Sequence, residues 1–266
     1  MSTPIGLFDS GLGGLTVLRE LQQVRPAESY VYLGDNARAP YGTKSEATIV
    51  RYANECTQFL LEQKIKLLVV ACNTASSLAL SSLEQILSIP VIGTIEPAVT
   101  TALESSSSGV IGVIGTDATI ASGAYQRALV ARNPKINVVA KPCPLFVPIV
   151  EQGMVSGEIV DKIVEMYLQE FKNSEIDTLI LGCTHYPLLA EAINAYLGDR
   201  VRIVECSKAI AQQVSKLMGN EVSNSQHVTR YYTTDSVGRF NHLAKLLITN
   251  GTVDAIQIAE LPALAT

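Results

Sequence analysis

The sequence lacks the features of membrane-spanning, exported or nucleic-acid-binding proteins. None of its apolar runs approaches the roughly 20 residues that a transmembrane helix needs. The N-terminus, Met1–Pro4, has no basic segment followed by an apolar one, so it does not resemble a signal peptide. Charged residues form no long runs, and a net charge of −5 over 266 residues gives no reason to expect nucleic acid or a membrane as a partner. We therefore expect a cytoplasmic protein.

The cysteines also lack the patterns of a disulfide framework or a zinc site. Their number is odd, the chain is not small, and no C-x-x-C pair occurs. The expected state of each is therefore a reduced thiol, and no metal is expected. The five positions are Cys56, Cys72, Cys143, Cys183 and Cys206.

Short β-rich apolar runs alternate with helical patterns, and this alternation predicts open α/β sheets. Several runs are apolar almost throughout, as expected for parallel strands covered on both faces. Strands are predicted at Ile5–Phe8, Tyr30–Leu33, Leu67–Ala71, Val91–Gly93, Val110–Ile114, Thr178–Leu181 and Val201–Val204. Helices are predicted at Thr16–Val24, Ser45–Gln63, Ala75–Leu87, Pro97–Glu104, Ala118–Arg132, Gly157–Phe171, Leu188–Leu197 and Ser207–Met218. For the second helix, Thr43 and Glu46 form a predicted capping box.

The chain divides at the polar run Ser105–Gly109, which is typical of a loop or linker. The segments on its two sides are alike. Ile5–Ser10 resembles Ile111–Thr116, and Leu68–Thr74 resembles Leu179–His185. Each half has an opening strand that ends in small polar residues and a later strand that ends in cysteine. This pattern predicts two similar domains that face one another.

Cys72 and Cys183 occupy equivalent places in the two halves. Each ends a buried strand and precedes a helix, and ligands of open α/β sheets bind outside the carboxyl ends of strands. Helix N-termini there favour thiolates and attract carboxylates. Polar residues, Asn73-Thr74 and Thr184-His185, follow directly. Two facing halves would bring both thiols into one cleft from opposite sides.

Two opposed acid–base groups without a cofactor fit the inversion of an amino acid at its α-carbon. One thiolate removes the α-proton and the opposite thiol returns a proton to the other face. General acid–base catalysis contributes roughly 3–5 kcal/mol, whereas enzymes commonly lower barriers by about 8–23 kcal/mol. Donors aimed at the α-carboxylate must supply the rest. Backbone N–H groups and the side chains of Ser10, Asn73 and Thr74 are candidates.

The motifs resemble those of glutamate racemases, in that family's order and over most of the chain. The segments that carry the resemblance are Phe8–Gly14, Pro40–Gly42, Ala71–Ala75 and Gly182–Pro187. Phe146–Glu151 and Tyr231–Thr234 also resemble family segments. The resemblance implies two pseudo-symmetric, mostly parallel α/β domains with the active site between them. The first would comprise residues 1–97 and 207–266, and the second residues 98–206.

The resemblance also implies the role of each site residue. Cys72 and Cys183 would be the two bases, with Asp9 assisting Cys72, His185 assisting Cys183, and Glu151 supporting His185. Substrate binding would involve Asp9, Ser10, Tyr41, Gly42, Asn73, Thr74, Thr184 and His185, with Thr116 and Thr119 as further candidates. Among these, Tyr41 and Gly42 would line the end that receives the side-chain carboxylate. No cofactor is expected, the product D-glutamate would supply peptidoglycan, and the family often forms homodimers.

Several candidate residues also have a purely structural interpretation. Cys56 shares an apolar helix face, Cys143 lies between two prolines, and Cys206 ends a strand, so all three are interpreted as structural. Asp9 could serve only to cap the turn after the first strand. The spacing of Gly11–Gly14 is not that of a dinucleotide loop, so we interpret this segment as a turn.

Four other functions compete with this hypothesis. A racemase of aspartate or a related acid would use the same thiols, although aspartate racemases more often carry an acidic residue where His185 stands. A cysteine hydrolase could use Cys183, His185 and Asp9 or Glu151 as a triad, but it leaves Cys72 unexplained. A dicarboxylate-binding protein needs no matched thiols. A pyridoxal-phosphate enzyme needs a lysine, and none occurs in the motifs.

Overall fold

The strands of the chain form two parallel sheets in the computed structural model, which describes residues 3–219, 227–238, 240, 241, 244 and 255–262. The described strands are β1 (Ile5–Asp9), β2 (Tyr30–Gly34), β3 (Leu67–Val70), β4 (Val91–Ile92), β5 (Val110–Gly115), β6 (Asn137–Pro142), β7 (Thr178–Gly182), β8 (Arg202–Glu205), β9 (Thr229–Thr233) and β10 (Ile256–Ile258). The first sheet has the order β10-β9-β2-β1-β3-β4 and the second the order β6-β5-β7-β8. Every pairing is parallel.

Helices cover both faces of each sheet. They are α1 (Leu15–Val24), α2 (Glu46–Glu62), α3 (Asn73–Leu78), α4 (Leu80–Ile86), α5 (Ile95–Ser105), α6 (Asp117–Ala121), α7 (Ala124–Arg132), α8 (Phe146–Glu151), α9 (Glu158–Lys172), α10 (Ala190–Leu197) and α11 (Cys206–Met218). Four buried apolar clusters result, one on each face of each sheet. The predicted α/β class is thus confirmed. Over the described ranges, no helix is long and apolar enough to cross a membrane.

All seven predicted strands are present, with ends that shift by a residue or two. Three further strands lacked a clear signal in the sequence. β6 and β10 are edge strands with mixed polar and apolar residues, and an edge strand buries too little surface to require a continuous apolar run. β9 reads Thr-Arg-Tyr-Tyr-Thr, in which only the last three residues are buried.

The structure corrects three predictions about helices. The cap of α2 is Ser45, whose hydroxyl accepts a hydrogen bond from the Thr48 amide at 3.4 Å. Thr43 instead ends a 3-10 turn, and its hydroxyl donates to the Pro40 carbonyl. The helix predicted at Ala75–Leu87 is two helices, α3 and α4, which join at Ala79. The helix predicted at Ala118–Arg132 is also divided, because Gly123 adopts a left-handed backbone with φ +66°.

The chain returns to the first sheet after completing the second. Ile210, Ala211 and Val214 of α11 lie in the same apolar cluster as α1, and β9 pairs with β2 at the far side of the first sheet. The boundaries at residues 97 and 207 stay a prediction, since sheet membership alone does not define a folding unit.

The two sheets repeat one local arrangement. In each, the central strand lies next to the strand that precedes a cysteine, β1 beside β3 and β5 beside β7. Cys72 comes two residues after β3, and Cys183 comes directly after β7. The carboxyl ends of these strands therefore carry Asp9, Cys72, Thr116 and Cys183, as the paired motifs predict.

Gly182, the last residue of β7, marks a close approach of β7 to β5. A Cβ at this position would lie 2.7 Å from the Ile114 carbonyl oxygen and 3.2 Å from the ring of Tyr125. The first contact is with backbone, which cannot move without disturbing the sheet. We expect Gly182→Ala to lower the free energy of unfolding by about 1–3 kcal/mol, measured by urea denaturation.

Gly238→Ala is the matched control for that substitution. An added Cβ there meets nothing closer than 3.7 Å, and Gly238 has no positive φ. Its effect should stay within about 0.5 kcal/mol. Equal stabilities of the two variants would contradict the close approach at Gly182.

Candidate active site

Both predicted catalytic thiols line one cavity at the facing ends of the two sheets. Its wall consists of Ser10, Gly11, Ala39, Pro40, Tyr41, Gly42, Cys72, Asn73, Thr74, Thr116, Val147, Glu151, Cys183, Thr184 and His185. The cavity measures about 30 Å³, which is room for one water molecule. An amino acid would require the walls to move apart on binding.

The predicted site residues meet here, with two set further back. Asp9 and Thr119 are fully buried behind the wall and reach the cavity through their neighbours. Ala39, Pro40 and Val147 line the cavity although no role was predicted for them. The sequence signal that could have indicated these residues is the pair of motifs that contain or adjoin them, Pro40–Gly42 and Phe146–Glu151.

Cys72 and Asp9 are the titratable residues on the side of the first sheet. The Oδ2 atom of Asp9 accepts from the amides of Gly11 and Gly14, each at 3.1 Å. Its Oδ1 atom is buried and has no hydrogen-bond partner among the described residues. Burial raises the pKa of Asp9, although His185 and the two amides oppose this. Burial, and then the charge of Asp9, raise the pKa of Cys72 to about 12, so Cys72 holds its proton at neutral pH.

Asp9 has two kinds of neighbour. Its carboxylate caps the glycine turn, and its charge also acts on Cys72 and on His185. The catalytic role of Asp9 stays a prediction.

Cys183, His185 and Glu151 form a line on the opposite side. The Sγ atom of Cys183 lies 3.9 Å from His185 Nδ1, and His185 Nε2 lies 3.5 Å from Glu151 Oε1. Burial disfavours a charged imidazole, but the contacts with Cys183 and Glu151 and the charge of Asp9 outweigh it. Together they raise the pKa of His185 to about 10. His185 is therefore an imidazolium at neutral pH, and it places a positive charge 3.9 Å from the Cys183 sulfur.

Three threonine hydroxyls form a polar cluster at one end of the cavity. The Oγ1 atom of Thr74 lies 3.0 Å from that of Thr116 and 3.1 Å from that of Thr119, and the last two are 2.9 Å apart. Gly42 abuts this cluster, since a Cβ there would lie 2.7 Å from Thr116 Cβ. Thr74 belongs to the first sheet's side and the other two to the second, so the cluster spans the interface and offers several hydroxyl donors to a carboxylate.

Tyr41 lines the cavity, and its hydroxyl is held by a buried carboxylate. Its hydroxyl donates to the buried carboxylate of Asp35, which also receives Arg38 at 2.7 Å and the Thr234 hydroxyl at 2.9 Å. Arg38 in turn binds Glu55. The Tyr41 hydroxyl therefore anchors the 3-10 turn Tyr41–Thr43 and is not free for a ligand.

The other three cysteines lie in the apolar clusters and not in the cavity wall. Cys56, Cys143 and Cys206 are free and buried, in keeping with their structural interpretation. Within the described ranges, no group of three or more His, Cys, Asp or Glu side chains is arranged to hold a metal.

A larger cavity of about 460 Å³ adjoins the first. The two share Gly11, Ala39, Pro40, Gly42, Thr116, Val147 and Glu151. Neither thiol lines the larger cavity, and the two cavities adjoin along this shared wall.

Comparison with known proteins agrees with this geometry. A model of the Asp/Glu/Hydantoin racemase family matches residues 12–214. A glutamate racemase from Aquifex aeolicus is 50% identical over 92% of this chain and 93% of its own length. The structure of a glutamate racemase isoform from Bacillus anthracis aligns with a TM-score of 0.93 at 37% identity, covering 98% of this chain and 99% of that one. That of the Francisella tularensis glutamate racemase in complex with D-glutamate aligns with a TM-score of 0.89 at 38% identity, covering 97% of each chain.

Fold and cavity, taken with these matches, define the class as an amino-acid racemase, an isomerase. Within that class, the chain belongs to the Asp/Glu/Hydantoin racemase family and, inside it, to the glutamate racemases.

Replacing Glu151 should change the pH dependence of activity. Glu151→Gln removes a negative charge beside His185 and so lowers the pKa of His185 from about 10. That pKa lies above the ordinary value of about 6.5, so the ion pair contributes stability below about pH 6.5 and loses it as pH rises through about 10. We expect the alkaline fall of kcat/KM to begin at lower pH in Glu151→Gln, measured from about pH 6 to about pH 11.

Glu158→Gln, an exposed change at the start of α9, is the control for Glu151→Gln. Its profile should coincide with that of the unsubstituted enzyme, and the substrate's own amine titrates identically in all three proteins. If the alkaline fall of kcat/KM begins at the same pH in Glu151→Gln as in the unsubstituted enzyme, the ion pair between His185 and Glu151 is contradicted.

Removing the Tyr41 hydroxyl should weaken the fold more than substrate binding. We expect Tyr41→Phe to lower the free energy of unfolding by about 1–3 kcal/mol, because the buried Asp35 loses a donor. The KM for glutamate should stay nearly constant. Tyr196→Phe, on α10 away from the cavity, should change stability by no more than about 0.5 kcal/mol. A raised KM with unchanged stability in Tyr41→Phe would mean that the hydroxyl contacts the substrate.

Proposed function

We propose that Cys72 and Cys183 interconvert L- and D-glutamate by moving the α-proton across the substrate, without a cofactor. The observation that carries the proposal is the single cavity that both sulfurs line, each from the end of a different sheet. A cysteine hydrolase or a binding protein has no use for the second thiol.

The two sulfurs have different neighbours. Cys72 is the thiol, because burial and Asp9 hold its pKa at about 12. On the other side, His185 lies 3.9 Å from the Cys183 sulfur. When Cys183 acts as the base, its thiolate removes the α-proton: the C–H bond breaks, an S–H bond forms, and the electron pair passes into the α-carboxylate.

The second half of the reaction uses the opposite pair. The S–H bond of Cys72 breaks and a new C–H bond forms on the other face of the α-carbon. Asp9 stands beside the resulting Cys72 thiolate and can take part in returning a proton to it. The enantiomer that has just formed is the substrate of the reverse reaction. In that reaction Cys72 starts as the thiolate and Cys183 as the thiol.

The remaining catalysis comes from donors that face the carboxylates. Thiols as acid and base supply roughly 3–5 kcal/mol, so the charge that develops on the α-carboxylate needs its own donors. The Nδ2 atom of Asn73 is buried and has no partner among the described residues, which leaves it available. Ser10, Thr74 and Thr184 add hydroxyls around the same space.

The threonine cluster beside Gly42 would receive the side-chain carboxylate. Three hydroxyls there can turn toward a ligand, and the tight contact of Gly42 with Thr116 closes that end of the cavity. The F. tularensis relative, whose structure contains D-glutamate, supports glutamate as the substrate.

The wider role follows from the product. D-glutamate made by this enzyme would supply peptidoglycan synthesis, and the need for two reduced thiols favours the cytoplasm. We expect a homodimer, a prediction that light scattering on the purified protein tests directly.

Exchange in heavy water tests the reaction. We expect L- or D-glutamate, incubated with the enzyme and no cofactor, to yield the opposite enantiomer carrying deuterium at the α-carbon. Aspartate should exchange far more slowly. Exchange of aspartate but not glutamate would refute the substrate, and exchange of neither would refute the mechanism.

Single cysteine variants test the roles of the two sulfurs in the same assay. Cys72→Ala and Cys183→Ala should each abolish racemisation in both directions, since inversion needs both faces. Each variant keeps one base, so any remaining exchange of the α-proton should occur without inversion. The enantiomer that exchanges should differ between the two variants. Cys143→Ala, which removes a buried thiol outside the cavity, is the control. A single variant at Cys72 or Cys183 that still racemises near the normal rate would overturn the assignment.

A further inference from the structure

A buried hydrogen-bonded trio lies directly behind the cavity and joins the two sheets. Tyr125 is on α7, Cys206 begins α11, and both pack in an apolar cluster of the second sheet. Asn73, from the end of the first sheet, extends to both. The Tyr125 hydroxyl lies 2.5 Å from Asn73 Oδ1 and 3.2 Å from Cys206 Sγ, and Cys206 Sγ lies 3.5 Å from Asn73 Oδ1. None of the three is more than 3% exposed.

The trio determines which way the Asn73 amide faces. The Cys206 thiol has the Leu181 carbonyl as an acceptor at 3.2 Å, so its proton is used there. The Tyr125 hydroxyl then donates to Asn73 Oδ1, a stronger acceptor than sulfur. With the amide oxygen held on the side of Tyr125, Nδ2 is left on the other side, without a partner among the described residues. Asn73 also lines the cavity.

The phenol is suited to this task over the whole working range of pH. Burial, together with the neighbouring Cys206, raises the pKa of Tyr125 well above its ordinary value. The hydroxyl therefore stays neutral and keeps the proton that it donates. A charged donor at this place would instead add its own field to the two thiols.

We propose that Tyr125 and Cys206 are positioning residues, which hold the Asn73 amide so that its NH2 group points at the α-carboxylate of the substrate. An amide that is free to rotate by a half-turn would present its oxygen to the carboxylate and repel it. The trio removes this alternative before the substrate arrives, and the carboxylate then satisfies the unpaired Nδ2. This inference rests on the role that the proposed function gives to Asn73.

A double-mutant cycle between Tyr125 and Asn73 tests the inference. Asn73→Ala should lower kcat/KM for both enantiomers by about 100-fold, the effect of losing one donor to developing charge. Tyr125→Phe alone should lower kcat/KM about 10-fold, and in the Asn73→Ala background it should add almost nothing, because its effect passes through Asn73. An equal loss in both backgrounds would overturn the inference, since a merely structural role is additive.

The same cycle separates this inference from the proposed function. If Asn73→Ala leaves kcat/KM unchanged, Asn73 does not bind the substrate. Its role in the proposed function and the positioning role of Tyr125 and Cys206 are then both refuted. If Asn73→Ala is impaired and Tyr125→Phe is additive, only the positioning role fails.

Variants at Cys206 and Tyr30 complete the test. Cys206→Ser can still hold the Tyr125 hydroxyl and should keep more of kcat/KM than Cys206→Ala. Tyr30→Phe is the matched control, because Tyr30 is also buried and the partners of its hydroxyl among the described residues are the backbone carbonyls of Leu21 and Arg25. It should lower the melting temperature without changing kcat/KM. If Tyr30→Phe lowers kcat/KM as much as Tyr125→Phe does, the inference is overturned.

Discussion

The site depends on the burial of two ionisable sulfurs at the ends of two facing sheets. Burial disfavours thiolates, as the pKa of Cys72, about 12, illustrates. A buried thiol becomes an effective base only when a neighbour offsets that penalty. On one side His185, held by Glu151, places a positive charge 3.9 Å from the Cys183 sulfur. On the other side Asp9 adds to the effect of burial and raises the pKa of Cys72 further.

The two halves are alike in backbone and unlike in charge. The strands β3 and β7 end in the same way, each with a cysteine at the start of the following turn. Cys72, however, faces an anionic partner in Asp9, while Cys183 faces a cationic one in His185. The repeated fold supplies the symmetry that a reversible proton transfer needs. The unequal partners place a negative charge beside one sulfur and a positive charge beside the other.

Close contacts between the sheets keep these groups in place. Thr74 meets Thr116 and Thr119, Asn73 meets Tyr125 and Cys206, and the Thr16 hydroxyl meets the Thr184 carbonyl at 3.3 Å. The turn after β1 approaches so closely that a Cβ on Gly13 would lie 2.3 Å from Thr184 Oγ1 and 2.6 Å from His185 Nδ1. That contact accounts for a glycine in this turn better than backbone freedom does. The same contacts leave only about 30 Å³ between the walls, so substrate entry requires some of them to loosen.

The sequence alone determined the parallel α/β class, the seven strands with short, mostly apolar runs, and the two cysteines at equivalent strand ends. These features are local: strand runs, helical periods and strand-end polar residues are all readable within about ten residues. Only the tertiary structure decided that Ser45 caps α2, that β6 and β10 form sheet edges, and that the Tyr41 hydroxyl turns to Asp35. It also decided that Tyr125 and Cys206, 52 and 133 residues from Asn73, bond to its amide. The reason is physical: which buried donor meets which acceptor is settled by packing between distant segments, and a pattern of neighbouring residues does not carry that information.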